Sequence, residues 1–186
     1  MKNWIKPLKR MDACGDALEW CEHYESLDKA WAVCPRGDWM LWLLGELSDK
    51  PESDSHKRLV LTACQCARLA LPYVEAGELR PLKAIETAEA WAKGEGNITL
   101  EDVRKAAHAA AYAAYAAAYA AHAAAYAAYA AADAASAANG AYAAAYAAAE
   151  ASYASYAAGL KTLAKCADIA RQYYPVAPIF GAKRNG

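Results

Sequence analysis

The sequence predicts an all-α protein: a bundle of short helices followed by a long, Ala/Tyr-rich antiparallel helical hairpin. Apolar residues recur at helical spacing from Ala13 onward, and no stretch alternates with the period of two that a strand requires. The two kinds of apolar residue are also segregated. All six Trp lie at or before Trp91, whereas residues 106–158 hold 35 Ala and nine of the thirteen Tyr, with no Leu, Ile, Val, Phe, Met or Trp. At 186 residues the chain reads as one domain in three parts: a Trp-rich body over 1–96, the hairpin over 97–174 and an extended tail over 175–186.

Ala13, Ala17, Trp20, Cys21 and Tyr24 share one face of a helix running from Asp12 to Tyr24. Ser26 can cap a second helix carrying Leu27, Ala30, Trp31 and Cys34 inward. Pro35-Arg36-Gly37 breaks that pattern, and Asp38 stands at an N-cap position ahead of Trp39-Met40-Leu41-Trp42-Leu43-Leu44. This run is apolar nearly all round, which predicts a central core helix. A polar loop over Pro51 to Ser55 precedes a helix from about His56 to Leu71, ended by Pro72. Pro81 suits a first turn, with Ile85, Ala88 and Trp91 inward and Gly94 and Gly96 terminating the helix.

Thr99 and Asp102 form a capping box and Ile98 and Val103 a hydrophobic staple, so a long helix starts near 100. His108, Tyr112, Tyr115, Tyr119, His122, Tyr126, Tyr129, Asp133 and Ser136 then follow a 4, 3 alternation, one stripe on an alanine cylinder. A second stripe starts at Tyr142, out of phase by one residue, after Asn139-Gly140. That dipeptide suits a left-handed turn, which predicts helices near 100–137 and 141–174 joined as a hairpin. Pro175 ends the second, and the tail is expected to lie back on the body.

Net charge is −1, so no global field draws the chain to nucleic acid or an anionic membrane, and no DNA is expected as a partner. The basic end (Lys161, Lys165, Arg171, Lys183, Arg184) and the N-terminal set Lys2, Lys6, Lys9 and Arg10 read as solvated faces. Residues 106–132 lack charge, but Ala is too weakly lipophilic and the Tyr and His too frequent for a membrane span. Six Cys without a secretory start read as free thiols in a reducing compartment, the cytoplasm. Cys14 and Cys21, seven apart, are expected to be buried.

No phosphate loop, zinc motif or nucleophile elbow occurs, so the chain reads as a non-enzyme with neither cofactor nor metal. Candidate chemistry is therefore binding chemistry. Tyr112, Tyr115, Tyr119, His122, Tyr126 and Tyr129 either fill a helical seam or line a binding face or cavity. A purely structural seam normally uses Leu and Ile, whereas these rings bring polar tips that each need a partner. Arg36, on its loop, is available to an anion or to a partner's carboxylate.

Several segments carry a resemblance: Asp12-Ala13-Cys14-Gly15-Asp16-Ala17-Leu18-Glu19-Trp20, Ala30-Trp31, Arg36-Gly37-Asp38-Trp39-Met40-Leu41-Trp42-Leu43 and Cys66-Ala67-Arg68-Leu69-Ala70-Leu71-Pro72. With Arg80-Pro81 through Ala90-Trp91, the Ala/Tyr tract and Ala167-Asp168-Ile169 to Tyr174-Pro175, the chain resembles the Imm-5-like putative immunity proteins of bacteria and phages. The resemblance implies a helical, non-catalytic protein that neutralises a partner by binding it, in the first instance a protein toxin. The alternative is a phage anti-defence sponge that sequesters a nucleotide-type signal in a Tyr/His-lined cavity, and homo-oligomers through the Ala/Tyr helices stay open.

Overall fold

The computed structural model describes residues 2–48, 52–69, 71–74, 76–106, 109 and 156–180. Among these, every regular element is helical. They are α1 (Lys6–Arg10), α2 (Gly15–Cys21), α3 (Leu27–Val33), α4 (Gly37–Leu47), α5 (Asp54–Arg68), α6 (Arg80–Lys93), α7 (100–106) and α8 (Tyr156–Tyr173), with 3-10 turns at Asn3–Ile5 and Leu71–Tyr73. The all-α prediction holds for them. Residues 107–108 and 110–155, which hold the first stripe, the Asn139-Gly140 turn and the start of the second stripe, lie outside the described residues, and so does the hairpin packing.

The caps explain most boundaries. Ser26 accepts a hydrogen bond from the Lys29 amide and starts α3, as expected. Ser53, whose side chain accepts from the His56 amide, starts α5 two residues before the expected His56, and α5 ends at Arg68 rather than Leu71. Pro72 disfavours helical backbone at Leu71 before it, and the chain goes on as a 3-10 turn. Gly94 closes α6 in the left-handed conformation, φ 71°. The capping box is complete in both directions: the Asp102 amide donates to Thr99 Oγ1 at 3.2 Å, and the Thr99 amide donates to Asp102 Oδ2 at 2.9 Å.

The predicted helix from Asp12 to Tyr24 is shorter at both ends. Asp12 sits at φ 61°, a left-handed residue that turns the chain after α1, and Cys14 is extended before Gly15 opens α2. Cys14 is consequently exposed, a correction to its expected burial, whereas Cys21 is buried. Lys2 reaches the other end of α2, where its Nζ donates to the carbonyls of Glu22 (2.8 Å) and Tyr24 (2.7 Å). That Lys therefore satisfies a helix C-terminus.

One core joins these helices. α5 pairs with α6, and α8 lies across α4 and α5. Met40, Leu41, Leu43 and Leu44 of α4 are buried, as the core-helix reading expects, with Trp39 and Trp42 half-buried. From α8, Leu163, Cys166, Ala167 and Ala170 are buried; three of these are small and admit α4 at close range. Gly37 marks the closest approach: a Cβ there would lie 2.4 Å from Cys166 Cβ and 2.6 Å from the Ala167 amide nitrogen. Between α5 and α6, Arg68 holds the buried Glu89 through two bonds, Nε to Oε1 at 2.8 Å and Nη2 to Oε2 at 2.7 Å.

The residue that follows α8 is tied to the body, for Trp31 Nε1 donates to the Tyr174 carbonyl at 2.9 Å and Tyr174 Oη donates to the Ser55 carbonyl. Arg171 gains a role that the sequence did not disclose. Its Nη1 donates to the carbonyls of Trp31 (3.2 Å) and Cys34 (2.8 Å), and its Nη2 to Asp168 (2.7 Å), closing the C-terminus of α3 from across the fold. Arg171→Met keeps the apolar stem and removes these donors. The change is expected to cost about 2 kcal/mol in urea unfolding, because two half-buried carbonyls lose their partner. A loss under about 0.5 kcal/mol, the scatter of ordinary surface changes, would refute that role.

His56 is buried on α5 at 2% exposure, with its ring edge-on to Trp91 at 6.2 Å and Nδ1 in hydrogen-bond contact with Ser48 Oγ. Burial holds its pKa below the ordinary 6.5. The unfolded chain therefore binds more protons as pH falls through 6.5, so this histidine costs stability on the acid side and nothing above it. Melting temperature is expected to fall from pH 7.5 to pH 5.5, and His56→Gln to flatten that fall. An equal slope in the variant would remove His56 as the cause.

Candidate functional site

A groove of about 410 Å3 opens between the α1–α2 segment and one face of α4. The register of α4 builds one wall, because Asp38, Trp42 and Glu46 are spaced i, i+4, i+8 and Trp39 stands beside them. Asp12, Cys14 and Ala17 supply the facing wall. The left-handed turn at Asp12 places that residue at the rim, in a conformation that Asp tolerates better than most residues.

Trp39 and Trp42 line the groove, and further rings adjoin Trp39. Trp20 lies 4.5 Å from Tyr24 and 5.9 Å from Trp39, centroid to centroid, both pairs tilted. These three and Trp42 are all half-buried, apolar bodies with accessible edges. A smaller apolar recess adjoins them, bounded by Trp20, Leu27, Trp31 and Leu43.

Arg36 is the one sequence-selected site residue among the described residues, and it sits in this groove. Its guanidinium lies 4.4 Å over the Trp39 ring. It also grips Asp38 with two bonds, Nε to Oδ1 at 2.8 Å and Nη2 to Oδ2 at 2.5 Å. Those bonds raise the Arg36 pKa above its already high ordinary value. Asp38 is therefore not the N-cap expected of it. Arg36 occupies the cap position, α4 begins at Gly37, and the Asp38 carboxylate turns back to the guanidinium instead of to a backbone amide. Arg36 is thus already paired within the chain.

Tyr112, Tyr115, Tyr119, His122, Tyr126 and Tyr129 lie outside the described residues. The thiols other than Cys14 behave as core. Cys34 is buried, with Sγ 3.6 Å from the Arg36 carbonyl, and burial pushes its pKa up to about 11; burial does the same to Cys21. Burial likewise raises Cys64. Among the described residues no group of His, Cys, Asp and Glu is arranged to hold a metal, and no helix is long and apolar enough to cross a membrane.

The sequence reading missed the groove as a whole. The signal was present in the i, i+4, i+8 placement of Asp38, Trp42 and Glu46, hidden because α4 reads as apolar all round. No pattern in the chain announces the turn at Asp12 that supplies the opposite wall.

Comparison with known proteins places the chain. The family model described as Imm-5 like putative immunity protein matches residues 49–176, more than two thirds of the chain. That segment starts after α4, so the walls of the groove precede it. Neither the curated proteins nor the solved structures give a match. On the extent of the family match, the chain belongs to the Imm-5 like putative immunity proteins.

Proposed function

We propose that the protein is a non-enzymatic, cytoplasmic binder that neutralises a protein toxin by docking it on the groove between α2 and α4. One observation carries this reading: Trp39 and Trp42 line the groove with an arginine stacked on Trp39, and the half-buried rings of Trp20 and Tyr24 follow on from Trp39. Trp, Tyr and Arg are the residues that dominate binding energy at protein interfaces, because they bury large area at small entropic cost. Family membership supports neutralisation as the purpose of the binding.

Sequestration of a nucleotide signal draws less support from this groove. A phosphate entering it would meet the carboxylates of Asp12, Asp38 and Glu46 and a guanidinium already paired.

Ala17 lines the groove and is half-buried, so Ala17→Gln adds bulk there while removing no contact. In a growth assay with the toxin co-expressed, the wild-type chain is expected to restore growth. Ala17→Gln is expected to bind the toxin at least about tenfold more weakly at an unchanged circular dichroism spectrum. Undiminished protection by this variant would remove the groove as the docking face.

A further inference from the structure

We propose that a second copy of this chain covers the apolar recess beside the groove, each copy inserting a ridge of its C-terminal segment, Val176 and Ile179, into the recess of the other. Exposure along that segment repeats every three residues. Val176 (70%) and Ile179 (77%) face solvent, whereas Ala177 is buried and Phe180 packs against the core. Pro175 and Pro178 fix their own φ and disfavour helix at Tyr174 and Ala177, so the ridge is stiffened from within and held from behind. Two branched apolar side chains offered on a segment ordered in advance lose little entropy on docking.

The recess matches the ridge in chemistry. Every residue that lines it is apolar, Trp20, Leu27, Trp31 and Leu43 among them, so burial there favours an aliphatic side chain and penalises a charged one. Proline-stiffened segments dock in aromatic-lined grooves for the same reasons. The placement of the two features points to a second copy. Trp31, a wall of the recess, donates its indole N–H to the carbonyl of Tyr174, two residues before Val176. Ridge and recess are therefore neighbouring patches of one surface, yet within one chain they do not meet, since Val176 and Ile179 stay exposed. Neighbouring complementary patches suit a two-fold axis, across which the ridge of each copy meets the recess of the other. Ala17, Trp39 and Trp42 line both the recess and the groove, so pairing also covers the face assigned to the toxin. The pairing stands without the toxin reading, and only this last consequence rests on it.

Sedimentation velocity on the full chain is expected to show a monomer–dimer equilibrium at concentrations below about 1 mM. Val176→Ser/Ile179→Ser removes the ridge at two largely exposed positions and is expected to weaken pairing at least about tenfold at an unchanged melting temperature. Reciprocity is read by mixing. The ridge variant, labelled with 15N, keeps its recess, and unlabelled Ala17→Gln keeps its ridge. Adding the second to the first is expected to shift the indole N–H signals of Trp20, Trp39 and Trp42, which line the recess, and adding unlabelled ridge variant to leave them in place. A wild-type chain that stays monomeric up to about 1 mM, pairing undiminished in the ridge variant, or unmoved indole signals in the mixture would each overturn the proposal. The toxin separates the two readings. Should the chain fail to pair while Ala17→Gln loses the toxin, pairing fails and the docking face stands. Should it pair through the ridge while Ala17→Gln holds the toxin at full strength, the docking face fails and the pairing stands.

Discussion

Gly37→Ala is expected to be severely damaging, lowering stability by about 3 kcal/mol or preventing folding. The added Cβ would stand 2.4 Å from Cys166 Cβ and 2.6 Å from the Ala167 nitrogen. One of these obstacles is backbone and the other a Cβ fixed to it, so no side-chain rotation relieves the overlap. α4 must move off α8, and that opens the layer in which Leu41, Cys166 and Ala170 are fully buried. Gly15→Ala is the internal control. Gly15 opens α2 with nothing within 4 Å of its would-be Cβ, so there the substitution is expected to be neutral or to stabilise by about 0.5 kcal/mol. Urea unfolding of the two variants checks the contrast. A Gly37→Ala protein as stable as the Gly15→Ala one would contradict the close crossing of α4 and α8.

The double change Trp39→Ala/Trp42→Ala is expected to weaken toxin binding by at least about a hundredfold, the loss of two central aromatic anchors. Both rings also pack against the core, so some stability goes with them. Leu41→Ala supplies the matched control. Leu41 is completely buried on the same helix, and its truncation should cost about 3 kcal/mol while leaving the groove lining in place. Binding measured per folded molecule should then survive Leu41→Ala and be lost in the tryptophan variant. Equal losses in the two would mean that stability, and not the groove, decides activity.

Local signals carried the fold further than the site. Helices α3, α6 and α7 begin at Ser26, Pro81 and Thr99 as caps and first-turn residues predict, because those signals act within four residues and need no tertiary partner. Burial of Ile85, Ala88 and Trp91 followed from period alone. What the sequence concealed is long-range: Arg171 closing α3 from 140 residues away, and Gly37 as a contact with Cys166. The Asp38 cap failed for a local reason, since the guanidinium two residues before it outcompeted the backbone amides for the carboxylate. The groove was half visible. Arg36 was singled out for its loop, while Trp39 and Trp42, which line the groove with it, read as core in a helix with apolar residues on every side.

That the protein acts through the α2–α4 groove is checked by hydrogen exchange on its complex with the toxin. Amides over 12–24 and 36–46 are expected to gain protection on binding, in the wild-type chain and not in Ala17→Gln. Protection confined to the stripe from Tyr112 to Tyr129, with the groove segments exchanging as in the free protein, would contradict it.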